Sequence, residues 1–191
     1  NGRPSKGCPI HGGMTLKKTF ISAAALMLVM GAASAHAEGM KGGLGFHHSD
    51  APVGIRHWVS EKMAVDFGIG FSSADAGDES LTGFTIDAGL PISMKKWDKV
   101  NFILRPGIMY NTEDVFYDDG VNPPSKEKFN TFGVSGEFEV EVELAENFTV
   151  SAAHGLGFSS SKLDVSGAES VTGFSTTGNN FTTIGFHVYL W

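Results

Sequence analysis

Cysteine is all but missing: Cys8 is the single one in 191 residues, so no intrachain disulfide can form. Bases are scarce as well. Fourteen Lys and Arg stand against 21 Asp and Glu, a formal net charge of −7, which is the wrong sign for a nucleic-acid partner held by phosphate neutralisation. Past residue 37 no apolar run of about 18 residues remains to form a transmembrane helix. Glycine and phenylalanine are plentiful, at 25 and 15 residues. Glycine without a three-residue period excludes collagen, and 11% aromatics exclude plain disorder. The length fits one glycine-rich β domain.

The first 37 residues read as processing sequence. Lys17 and Lys18 follow Met14, an apolar stretch runs from Phe20 to Met30, and small residues lead to Ala35-His36-Ala37. That order matches a secretory signal peptide with cleavage before Glu38. Residues 1–13 are expected to be an upstream segment, 14–37 the signal peptide, and 38–191 the mature domain. Arg3, Lys6, Lys17, Lys18 and Cys8 lie in the removed part, which leaves 10 bases against 21 acids, a charge of −11, and no thiol. Thiol catalysis and Cys-ligated metal chemistry are thereby excluded from the mature domain.

The mature sequence alternates with a period of two. In Met63-Ala64-Val65-Asp66-Phe67-Gly68-Ile69-Gly70-Phe71 the odd positions are large and apolar, the even ones small or charged. In Phe138-Glu139-Val140-Glu141-Val142-Glu143-Leu144 apolar side chains take one face and carboxylates the other. Only a strand sorts these sets onto opposite faces. Eight segments fit: 40–48, 53–59, 63–71, 81–94, 100–110, 129–144, 148–158 and 180–191. Short connections at 60–62, 95–99 and 145–147 alternate with long polar ones at 72–80, 111–128 and 159–179; the first, 49–52, is short although it falls on the long side. Alternating loop lengths and tilted strands of about 9–11 residues are features of transmembrane barrels. The glycine-, alanine- and serine-rich face suits a narrow barrel interior, and the apolar face suits lipid.

An internal echo supports this register. Gly43-Leu44-Gly45-Phe46, Gly68-Ile69-Gly70-Phe71 and Gly155-Leu156-Gly157-Phe158 close the first, third and seventh segments, and Gly107-Ile108-Met109-Tyr110 closes the fifth. Phe46, Phe71, Tyr110 and Phe158 are therefore expected in one aromatic girdle beside the long loops, with Trp58, Trp97, Phe148 and Trp191 near the opposite ends.

On these features the chain from Glu38 to Trp191 resembles the small bacterial outer-membrane β-barrels of the OmpX and OmpA-barrel kind. Phe186-His187-Val188-Tyr189-Leu190-Trp191 is similar to that family's C-terminal assembly signal, with Tyr189 and Trp191 in the two aromatic places. His187 departs from the pattern, and both parities of this segment carry apolar residues, so its facing is open. The resemblance implies an all-β, eight-stranded, antiparallel up-and-down barrel in the bacterial outer membrane. It also implies outer-membrane lipid, lipopolysaccharide and the barrel assembly machinery as partners, and a monomer. The fold hosts adhesins, enzymes, channels and anchors alike, so no activity comes with it.

Candidate sites are sparse. His154 lies on the apolar face, but the serine that lipid A deacylases of the PagL type carry two residues after their histidine is Leu156 here. His47 and His48 are adjacent and so point to opposite faces, a poor chelating pair. The loop acids Asp75, Asp78, Glu79, Glu113, Asp114, Asp118 and Asp119 form no recognised calcium loop, although a divalent cation could bridge them to lipopolysaccharide phosphates. The lumen face is more informative. It is expected to carry Arg56, Asp66, Asp87, Arg105, Glu137, Glu139, Glu141 and Glu143. Counting across Ser60–Lys62 sets Arg56 opposite Asp66; counting across Lys95–Lys99 sets Asp87 diagonal to Arg105 and Arg105 near the level of Glu139. A charge network with Arg105 shared among Asp87 and the Glu137-Glu139-Glu141 ladder follows. The expected function is non-enzymatic and needs no cofactor or metal: envelope integrity or surface interaction through extracellular loops. A narrow cation or small-solute channel is one alternative. A soluble periplasmic β-sandwich or ligand-binding calyx is the other.

N-terminal sequencing of the membrane-extracted protein is expected to begin at Glu38; recovery of chains beginning at Met14 would exclude cleavage.

Overall fold

The structure, a computed structural model, describes residues 41–46, 50–76, 79–118, 120, 124–176 and 183–190. The expected signal peptide, His47, His48 and Trp191 lie outside the described residues. Ten strands follow one another: β1 (Gly42–Phe46), β2 (Val53–Trp58), β3 (Ala64–Ala76), β4 (Glu79–Gly89), β5 (Ile92–Trp97), β6 (Val100–Tyr117), β7 (Ser125–Ala145), β8 (Phe148–Leu163), β9 (Val171–Thr176) and β10 (Thr183–Tyr189). They make eight staves. β4 and β5 share one stave because both pair with β6. β9 and β10 share another because both pair with β8. β1 pairs with β2 on one side and β10 on the other, which closes an antiparallel up-and-down barrel.

Alternation dictates an interior that is polar and an exterior that is apolar. In β3, Ala64, Asp66, Gly68 and Gly70 are buried, while Val65 is 45% and Phe71 49% exposed. In β8, Thr149, Ser151 and Ala153 are buried, and Leu156 and Phe158 lie open on the outside. In β10, His187 and Tyr189 turn inward and Phe186 and Val188 outward, which settles the facing that two apolar parities left open in the sequence.

The strands differ from expectation in three places. The segment 81–94 is not one strand. Leu90-Pro91 divides it, since Pro91 has no N–H for the ladder and its carbonyl instead accepts from Ala64 N–H at 2.8 Å. Second, most of the expected long loops are strand. The β3–β4, β6–β7 and β8–β9 hairpins extend the ladders to Ala76, Tyr117 and Ser161. Third, the 95–99 connection shrinks to Asp98-Lys99, with Trp97 opposite Val100 and Asp98 at φ 51°. A two-residue hairpin turn needs the left-handed backbone there, and aspartate tolerates it.

The short first connection folds inward. Ala51 is fully buried, and a Cβ built on Gly70 would lie 1.9 Å from the Asp50 carbonyl oxygen. Only glycine at 70 lets that backbone enter the barrel mouth. Gly70→Val is therefore expected to destabilise the folded barrel by about 1–3 kcal/mol through overpacking. Gly136→Ala, where no atom lies within 4 Å of the added carbon, should be neutral or slightly stabilising. Denaturant midpoints in detergent check the contrast.

Candidate functional site

The lumen is where the sequence concentrates its chemistry. Arg56 on β2 faces Asp66 on β3 directly, and its Nη2 donates to the Asp66 carboxylate at 3.0 Å. The same guanidinium reaches across the barrel to Glu139 on β7, with Nη1 and Nη2 donating to the two carboxylate oxygens at 2.9 and 2.8 Å. This is a bidentate fork, the geometry in which guanidinium binds carboxylate best. Glu141 lies 3.5 Å from Nη1.

Arg105 on β6 builds the second half. Its Nε donates to both oxygens of Asp66 at 3.1 and 3.0 Å, and its Nη1 to Glu137 at 3.2 Å. Nη2 donates to Asp66 and to Asp87. Asp66 thus joins the two arginines. The glutamate ladder is divided rather than shared, since Arg105 pairs in register with Glu137, and Glu139 and Glu141 belong to Arg56. Asp87 is opposite Met109, four residues from Arg105 rather than diagonal to it, because the bulge at Ser93/Lys95 and the shortened turn shift the count. The guanidinium spans the difference along the lumen. Gly89 makes room for it: a Cβ there would lie 2.5 Å from Arg105 Cζ and from an Asp66 oxygen.

Glu141 has further partners that the sequence reading missed. Thr149 donates to it at 3.0 Å and the Tyr189 hydroxyl at 3.1 Å, and His187 Nδ1 lies 3.5 Å away. Trp58 Nε1 donates to the Tyr189 hydroxyl at 3.1 Å, so this tryptophan faces the lumen and not the outside. A signal was present in β1. Gly43 pairs with Tyr189 and Gly45 with His187, and neither position has room for a Cβ beside those rings.

The cluster lies between two vestibules. One, of about 510 Å³, opens among the short turns and is lined by Lys41, Lys62, Lys95, Lys96 and Lys99 together with Glu141 and Tyr189. The other, of about 580 Å³, opens among the long hairpins and carries Asp50, Asp87, Glu113 and Glu137 among serines and threonine. Five carboxylates face two guanidiniums in the plug, all nearly inaccessible to water. Such a cluster holds position and charge. Among the described residues no three His, Cys, Asp or Glu side chains are placed to hold a metal ion.

On the outer face, Phe71 stands opposite Phe84, Tyr110 opposite Phe132 and Phe158 opposite Phe174. All six are exposed, and the Phe158 and Phe174 rings are 4.8 Å apart. Phe84, Phe132 and Phe174 were not expected in this band; they come from the partner strand of each hairpin. The Phe46 side chain lies outside the described residues. Of the loop acids, Asp78 and Asp119 also lie outside them; Glu113 turns into the upper vestibule and Asp114 onto the outer face. His154 is on the outer face opposite Phe138.

No protein-family model matches the chain, and no curated protein matches it. Among solved structures the crystal structure of a major outer membrane protein from Thermus thermophilus is similar, with a TM-score of 0.45 and 14% identity over 80% of this chain and 100% of that one.

Arg105→Met takes the guanidinium from Asp87 and Glu137 and leaves Asp66 to Arg56 alone, and is expected to cost about 3–5 kcal/mol if the plug is dry. Glu139→Gln should cost less, and the double variant should fall short of the sum, because both arginines share Asp66. Harmless single variants with an additive double would show water in place of ion pairs.

Proposed function

We propose that the chain is a bacterial outer-membrane barrel with a closed lumen, acting without catalysis through the hairpins it displays and through the mechanical integrity of the envelope. The observation that carries this reading is the polarity of the wall. Outward-facing Ile184 is 77%, Leu156 52% and Phe138 51% exposed, while arginine, aspartate and glutamate fill the inside. In water that arrangement would leave a continuous apolar belt uncovered; in lipid it is the favourable one. The polarity opposes a soluble calyx, whose apolar face would point inward. The outer face of β8 from Phe148 to Phe158 matches the about 9–11 residues a tilted strand needs to cross the hydrocarbon.

The closed lumen favours display over conduction. A solute passing between the vestibules would have to break Arg56–Glu139 and Arg105–Asp66, each made of several charge-assisted bonds. The hairpins extend well past the aromatic band. From Tyr110 to Tyr117, β6 continues for roughly 23 Å at about 3.3 Å per residue. Export by the signal peptide, delivery by the barrel assembly machinery through Tyr189 and Trp191, and a monomeric state belong to the same reading.

In outer-membrane fractions the unboiled protein should run faster on gels than the boiled one; equal mobility would exclude a folded barrel in that membrane. Val65→Arg should cost about 2–4 kcal/mol near the midplane and less toward the interface, and Ala64→Ser little. Equal unfolding midpoints for the two variants would overturn the lipid-facing assignment.

A further inference from the structure

Above the aromatic band the described lysines share the outer face. On β7, Phe129 lines the upper vestibule and Glu127 shares its side, whereas Lys126, Lys128 and Asn130 continue the outward row that begins at Phe132. On β8 the outward row runs Phe158, Ser160, Lys162, and Lys162 is opposite Asn130. Among the described residues these three lysines are the bases above the band, and none of them turns toward the carboxylates of the lumen.

Lys126 and Lys128 are held in place by one carboxylate. Asp114, on the outer face of β6, lies 3.1 Å from Lys126 Nζ and 3.2 Å from Lys128 Nζ. Lys126 also donates to the Ser80 carbonyl at 2.7 Å. The Thr82 hydroxyl and N–H donate to Asp114 at 2.7 and 3.0 Å and hold its carboxyl well below the usual carboxylate range, so it stays ionised. One carboxylate thus serves two ammonium groups. Each ammonium has three donors, and the Lys128 side chain remains 57% exposed. The Tyr110 hydroxyl donates to Asn130 Oδ1 at 3.0 Å, which leaves the amide nitrogen as a further donor. Asp164, whose N–H bonds the Lys128 carbonyl, shares the outer face with Lys162, and Glu127 faces the vestibule on the other side of the wall.

We propose that Lys128, Lys162 and Asn130 form a binding site for the phosphate of an outer-leaflet lipid. The site rests on the reading of the barrel as membrane-spanning. Two steps of two residues separate Phe132 from Lys128, roughly 13 Å along the strand and about 10 Å along the membrane normal once strand tilt is allowed for. The headgroup layer is about 5–8 Å thick on each side, so the Lys128 backbone lies just beyond it and the flexible stem can lower the ammonium to the phosphates. A free phosphate ion would meet the same donors. A lipid phosphate is also held by its acyl chains, which at this position lie against Phe132, Phe158 and Phe174. Asp114 is a positioning residue for Lys128, fixing its stem so that less rotamer freedom is lost on binding.

The full-length barrel, folded in neutral detergent, is mixed with diphosphoryl lipid A and phosphatidylcholine, and retained lipid is read by native mass spectrometry. The wild type should retain diphosphoryl lipid A in preference. Lys128→Gln and Lys162→Gln should each weaken retention about fivefold, and the pair about 25-fold, the effect of one surface lysine apiece on an anionic lipid. Lys95→Gln/Lys96→Gln, at the short-turn rim, should leave it unchanged. Gel mobility confirms that each variant is folded. Wild-type retention by the Lys128/Lys162 double variant, or an equal loss in the rim control, overturns the site. Displacement of the lipid by equimolar inorganic phosphate overturns its assignment to a lipid. Failure of the wild type to insert into phosphatidylcholine vesicles instead removes the membrane reading beneath it.

Discussion

Everything in this barrel is arranged around two guanidiniums that hold five carboxylates inside a narrow wall. Taking ionised groups out of water costs several kcal/mol each, and mutual attraction repays that only with good geometry and complete hydrogen bonding. Arg56 forks onto Glu139 and Arg105 cradles Asp66, so the geometry is met. The remaining architecture makes room for it. Gly89 vacates the space that the Arg105 guanidinium fills, and Gly43 and Gly45 vacate that of Tyr189 and His187. Glycine is abundant here because a small eight-stave barrel cannot hold long charged side chains on every strand.

The same economy governs the outside. Apolar side chains cover the belt, aromatic rings bound it, and polar hairpins rise beyond. The upper vestibule is acidic, the lower one mixes lysines with glutamates, and the lysines above the band stand on the outer face of β7 and β8. Sorting of this kind requires each strand to keep its register along its whole length, since a slip of one residue would place a glutamate in the apolar belt.

Much of the fold is legible in the sequence because alternation survives nearly everywhere. Met63 to Phe71 and Phe138 to Leu144 declare their faces at once, and the parity of the 60–62 turn places Arg56 opposite Asp66. Legibility fails where the local pattern is silent. Loop composition in 111–128 and 159–179 looks irregular, yet 111–117, 125–128, 159–163 and 171–176 pair, because a neighbouring strand supplies a ladder that no local propensity reveals. The bulge near Ser93 shifts a count that looked secure. In Phe186 to Leu190 both parities are apolar, and the inward choice depends on the glycines of β1, far away in the sequence.

Arg56 and its strongest partner are 83 residues apart. A sheet that has formed β2 and β3 but not yet β7 carries a charge with half of its ligands missing. A sheet that has formed β7 first carries a row of glutamates with no cation at all. Neither half can leave water without a large cost. The order of events during biogenesis is thereby constrained: the wall has to be nearly complete, and its two ends brought together through β1 and β10, while the interior is still in contact with water. Contacts so distant along the chain form late and slowly, so the plug is completed only once the two ends of the wall have met.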